Sequence, residues 1–168
     1  MFGEGLRRAR LMLVGEQPGD REDRDGRPFV GPAGRELDRA LEAAGIKRRD
    51  AYVTNVVKHF KFEERGRRRI HATPKKFEVD ACTPWLEEEL RVVKPEALVV
   101  LGATAGKALF GSKFTIRDAR GRPIESELAP FVTATIHPSA ILRARDDEER
   151  ERERKAFTAD LAFVAKAL

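Results

Sequence analysis

A chain of 168 residues is long enough to bury a core of its own, and its single cysteine, Cys82, excludes an internal disulfide framework and fits a reducing compartment. Lys and Arg number 33 against 28 Asp and Glu, and the net charge of +5 favours a polyanionic partner. No stretch has the apolar length of a membrane span and the first residues lack the apolar core of a signal peptide, so a cytoplasmic protein that does not engage a membrane is expected.

In chain order, Leu11-Met12-Leu13-Val14 is a fully apolar run closed by Gly15, the pattern of a strand buried on both faces of a parallel sheet. A polar loop is expected from Glu16 to Gly31. From Pro32 the apolar residues Leu37, Ala40, Leu41 and Ala44 recur at helical spacing, and Gly45 is the stop. Ala51 to Val57 reads as the second strand. The segment from Lys58 to Lys76 then holds eight basic residues against two acidic ones, the whole positive excess of the chain, in a basic loop.

Thr73-Pro74 reads as a cap and first turn for a helix whose apolar face is Trp85, Leu86, Leu90 and Val93, with Lys94-Pro95 as its end. Pro84 inside that span predicts a kink or a second start. Ala97 to Leu101 is a third strand, Thr104 to Phe110 a short helix, and Phe131 to Ile136 a fourth strand running into His137-Pro138. The charged run Arg143 to Lys155 reads as a solvated helix face or a mobile loop, and Phe157, Leu161, Val164 and Leu168 mark a last helix. Alternating strands and helices predict a single α/β domain over residues 1–168. Its architecture would be three-layer α/β/α around a central, mainly parallel four-stranded sheet, with the site at the strand C-terminal ends.

Three polar clusters follow apolar strands: Gly15-Glu16-Gln17-Pro18-Gly19-Asp20, Thr54-Asn55 and His137-Pro138-Ser139. In a parallel sheet they open onto one edge, which points to an active site there. Gly102 to Lys107 is one residue short of a P-loop and has Ala108 where magnesium needs Ser or Thr, so nucleotide binding is rejected. His59, His71 and His137 lack zinc-ligand spacing.

GEQPGDREDRDGRPFVGPAG, YVTNVVKHFKF and TIHPSAILR together resemble the uracil-DNA glycosylase superfamily, nearest its iron–sulfur branch, over almost the whole chain from Arg10. GEQPG combined with the basic insertion RGRRRIH is similar to the UdgX type within that branch. The resemblance implies excision of uracil from DNA, single-stranded DNA expected, by a monomer. Phe29 would stack on the flipped base and Gly15 and Asp20 would line its site, while Asp20 and Asp23 are weaker candidates for positioning a water or stabilising the sugar. The Asn55 amide would accept from uracil N3–H and donate to O4, a pattern that cytosine reverses. His137 would donate to O2 as negative charge develops there.

Glu16 and Gln17 stand where relatives position an attacking water, and a carboxylate there also stabilises a cationic sugar. His71 matches the histidine that, in UdgX relatives, bonds the sugar C1′; neighbouring Arg67, Arg68 and Arg69 are expected to keep it neutral and nucleophilic. Those arginines, Lys58, Ser139 and Arg143 are the expected DNA contacts. Two other readings stay open: an ordinary turnover glycosylase, and a non-catalytic DNA-binding module using the basic loop.

Relatives in this branch hold a [4Fe–4S] cluster. Cys82 and His59 match two of its ligand positions, but the sequence has no CxxC pair, so a cluster that is absent or incomplete is expected.

Overall fold

The computed structural model describes residues 1–168. In chain order it contains β1 (Leu11–Gly15), α1 (Asp20–Asp25), α2 (Pro32–Ala43), β2 (Ala51–Asn55), β3 (Phe62–Arg65), β4 (Arg68–His71), α3 (Lys76–Val93), β5 (Ala97–Leu101), α4 (Ala103–Phe110), α5 (Ile116–Ala119), β6 (Phe131–Thr135), α6 (Ser139–Leu142) and α7 (Asp147–Ala165). The main sheet has the order β2-β1-β5-β6 and every pairing in it is parallel.

The alternation of side chains along a strand divides the core in two. Leu11 and Leu13 of β1, with Ala97, Val99 and Leu101 of β5, face Leu37 and Leu41 of α2 and Phe157 and Leu161 of α7. Met12 and Val14, with Leu98 and Val100, face Cys82, Leu86 and Val93 of α3 and Ala105 of α4. The sheet is therefore covered on both sides, and its two central strands are apolar throughout for that reason. No helix is long and apolar enough to cross a membrane.

Several boundaries differ from the sequence expectation. The polar segment 16–31 is not all loop, since α1 forms within it. β2 ends at Asn55 and β6 at Thr135, short of Val57 and Ile136, because the chain turns there towards the cleft. α3 starts at Lys76, where the Glu78 carboxylate accepts the Lys75 N–H at 2.6 Å, and it runs through Pro84 without a second start. Its buried stripe of Cys82, Leu86, Glu89 and Val93 packs on the sheet across the proline and outweighs the one lost backbone bond. The charged run 143–155 is largely the first half of α7, held down by Arg154, which grips the buried Glu36 of α2 with two bonds of 2.7 and 2.8 Å.

The basic segment is a hairpin, β3 paired antiparallel with β4, with Gly66 supplying the positive φ of its two-residue turn. Both strands are largely exposed, so no period-2 apolar pattern announces them. Its order comes from elsewhere. Gln17 donates to the carbonyls of Lys61 (3.2 Å) and Ala72 (3.1 Å) and accepts from Lys61 N–H (3.1 Å), clamping both ends of the hairpin. Arg69 lies over the rings of Phe60 and Phe62 and pairs with Asp20 and Asp23, which ties β4 to α1.

Candidate active site

The C-terminal ends of β1, β2, β5 and β6 open into one cleft of about 910 Å³, walled by Glu16, Phe29, Asn55, Thr104 and His137, with His71 at its edge. Parallel register brings Gly15 directly beside Asn55. A Cβ at Gly15 would come within 2.5 Å of Asn55 Oδ1 and 2.7 Å of the Phe29 ring, so glycine is what allows the amide and the aromatic ring to meet at this point. Phe29 is buried, with its ring centroid 5.7 Å from that of His137. Asn55 Oδ1 is buried with no hydrogen-bond partner. An acceptor left unpaired in a buried wall is costly, and a ligand N–H recovers that cost.

His137 is fixed in both tautomer and charge. Its Nδ1 accepts from the Ser139 N–H at 3.2 Å and lies 2.7 Å from the Ser139 hydroxyl, which in turn accepts from Arg143 at 2.9 Å. The ring proton of the neutral imidazole therefore sits on Nε2. Burial above all pulls its pKa down to about 4; Glu16 opposes this, and Arg143 and His71 reinforce it. A neutral Nε2–H donor is thus in place at neutral pH. Ser139 and Arg143, expected as phosphate contacts, also support this histidine.

Glu16 has one oxygen 3.1 Å from His71 Nε2, but the approach is not aligned and that oxygen has no hydrogen-bond partner. Burial raises the carboxyl pKa; contacts with His71 and Thr104, and the nearby His137, more than reverse this, so it lies below its ordinary value and the group is ionised. His71 is half-exposed and meets this carboxylate. Of the three arginines expected to act on it, Arg69 is turned down onto Asp20 and Asp23, while Arg67 and Arg68 are exposed at the hairpin turn.

Three further side chains expected at the site are held by partners within the protein. Gln17 uses both amide N–H groups and one lone pair of its oxygen on the hairpin ends. Asp20, at the cleft rim, is taken up by Arg24 (3.0 Å) and Arg69 (2.5 Å). Lys58 is no phosphate contact: it is 8 % exposed, and its Nζ donates to Glu89 (2.5 Å), Thr54 Oγ1 (2.9 Å) and the Asn55 carbonyl (2.6 Å). Burial pulls its pKa down, against the raising effect of Glu89.

Thr104 carries no signal in the sequence because it lies in the glycine-rich segment that falls short of a P-loop, and Glu22, also in the cleft wall, carries none because nothing local marks a carboxylate that folds inward. Cys82 Sγ lies 3.8 Å from His59 Nδ1 and accepts the Lys58 N–H at 3.3 Å, but no third His, Cys, Asp or Glu joins them. Two donors do not hold a four-iron cluster, so the residues present do not fit that group.

The sequence profile of the uracil DNA glycosylase superfamily matches residues 2–162. A type-4 uracil-DNA glycosylase of Thermotoga maritima is 41% identical over 151 residues, covering 89% of this chain and 75% of its own. One from Pyrobaculum aerophilum is 38% identical over 148 residues, covering 84% and 72%. A type-5 uracil-DNA glycosylase of the latter organism is 34% identical over 116 residues, covering 60% and 48%.

Proposed function

The chain belongs to the uracil-DNA glycosylase superfamily, and from that premise we propose that it excises uracil from DNA and captures the resulting abasic sugar through His71. The observation that carries the reading is the placement of a half-exposed imidazole nitrogen, His71 Nε2, 3.1 Å from Glu16 Oε1 without a hydrogen bond between them, at the edge of a cleft whose wall holds an unpaired amide oxygen.

A flipped uracil stacked on Phe29 gives its N3–H to Asn55 Oδ1 and receives the Asn55 NH₂ at O4. The C1′–N1 bond breaks with its electron pair on the base, and His137 Nε2–H donates to O2 as charge gathers there. The Glu16 carboxylate stabilises the cationic sugar. The lone pair of neutral His71 Nε2 then bonds C1′, and the Nδ1 proton of the resulting imidazolium passes through solvent to the uracil anion, which leaves as neutral uracil. Cytosine is refused because its unprotonated N3 and its amino group put an acceptor against Oδ1 and a donor against NH₂.

The type-4 and type-5 names of the relatives favour a second reading, in which Glu16 directs a water to C1′ and the enzyme turns over. Incubation with a uracil-containing single-stranded oligonucleotide followed by a denaturing gel separates the two. Capture gives a heat-stable protein–DNA band that is lost in H71A, which releases abasic product. Abasic product without such a band from the unmutated chain sinks the capture step, and no product at all sinks the glycosylase reading.

A further inference from the structure

Besides Asp20, which Arg24 and Arg69 hold at the rim, the cleft wall contains a second carboxylate that this reaction does not use. Glu22 of α1 is 8 % exposed, and its Oε1 accepts the Gly31 N–H at 2.8 Å. Gly31 is the N-cap of α2, which has no acidic residue in its first turn and no side-chain cap. Glu22 therefore supplies, from another helix, the anion that a helix N-terminus favours. The backbone is cleared for it: a Cβ at Gly19 would lie 2.5 Å from Glu22 Oε2, and one at Gly31 would lie 2.9 Å from Oε1.

Two residues before Gly31, Phe29 adopts φ +55°, an uncommon conformation for a bulky side chain. Such a residue stays there only where its surroundings over-determine it. On one side α2 presses against its carbonyl so closely that a Cβ at Gly34 would overlap the oxygen, and on the other the Gly31–Glu22 bond holds the exit of the turn. The outcome is a ring lodged against Gly15 in the cleft wall.

We propose that Glu22 is a positioning residue for base recognition: by anchoring Gly31 it keeps Phe29 in the left-handed conformation that presents its ring to the flipped base. This rests on the uracil-excision reading above.

The test is single-turnover release of uracil from a uracil-containing single-stranded oligonucleotide, enzyme in excess, for wild type, E22A, E22Q, F29A and E22A/F29A. Release by the wild type is the control for the excision reading; its absence overturns that reading and this role together. With release established, E22A slows it at subsaturating enzyme by about tenfold, within the range of base–aromatic stacking. E22Q keeps an oxygen that accepts from Gly31 and stays within about threefold of wild type. Against F29A, adding E22A changes the rate by no more than about twofold, since the residue through which it acts is gone.

Full multiplication of the two single losses in E22A/F29A overturns the proposal, as does a lowered Tm in E22A with an unchanged rate. Should E22A fail to fold, G31A takes its place, because its new Cβ displaces the carboxylate; the same collapse of its effect in the F29A background is expected, and its absence is equally fatal.

Discussion

Lys58 offers the sharpest contrast between a surface cation and a buried one. In K58M the Glu89 carboxylate, whose side chain is 7% exposed, loses the ammonium 2.5 Å away, and the Asn55 carbonyl loses its Nζ donor. Glu89 still accepts from Gly3 N–H (2.7 Å), Tyr52 (3.1 Å) and Thr54 (2.8 Å), but none of these carries charge. Removing one partner of a buried pair costs about 3–5 kcal/mol, because the other charge stays desolvated without compensation. For a chain of this size each kcal/mol lowers Tm by roughly 2–4 °C, so K58M should melt about 6–20 °C below wild type. K58M/E89Q removes the stranded charge yet keeps an acceptor for Gly3 and Tyr52, and it should regain at least about 1 kcal/mol. Guanidinium denaturation measures both, and the salt dependence of single-stranded DNA binding gives the independent check. A lysine on a phosphate contributes about 0.7 to that slope, whereas this one should contribute nothing. A melting change under about 2 °C together with a slope reduced by about 0.7 would falsify the buried-pair account and restore Lys58 to the DNA interface.

His137 should govern the acid limb. Its folded pKa of about 4 lies below the ordinary 6.5, so its contribution to stability is complete above pH 6.5 and is lost as pH falls towards 4, by about 3 kcal/mol in all. Denaturation between pH 7.5 and 4 should show this slope in the wild type and a flatter one in H137N; equal slopes refute the assignment. Uracil release by H71A, in which the other cleft imidazole is gone, should likewise hold its rate down to about pH 5, and a decline centred near 6.5 would mean that His137 titrates as if exposed. R67A/R68A, which removes the two exposed arginines at the hairpin turn, should weaken DNA binding and reduce the salt slope by about 1.4 without changing Tm appreciably. An unchanged slope would remove the turn from the DNA interface.

How much of this was legible in the sequence depends on how local the cause is. Apolar runs closing at Gly15, Val57, Leu101 and Ile136 announce a parallel sheet, because a strand buried on both faces must be apolar throughout, although β2 and β6 stop at Asn55 and Thr135 where the chain turns. From that alone Glu16, Asn55 and His137 fall on one edge, and they do share a cleft. What a polar side chain does there depends on partners far along the chain, and no spacing rule reaches them. Lys58 finds Glu89 31 residues away, Gln17 finds the hairpin ends 44 and 55 residues away, and Arg69 finds Asp20 49 residues away. The run RGRRRIH reads as a basic loop because its exposed strands bury nothing. Only the folded chain shows that Gln17 and Arg69 make it a hairpin, and that His71 at its end meets a carboxylate where three arginines were expected. The sequence by itself determined the sheet and the edge on which chemistry can occur; the tertiary structure decided which charges are free to act, since a buried charge is set by its partner and not by its neighbours in the chain.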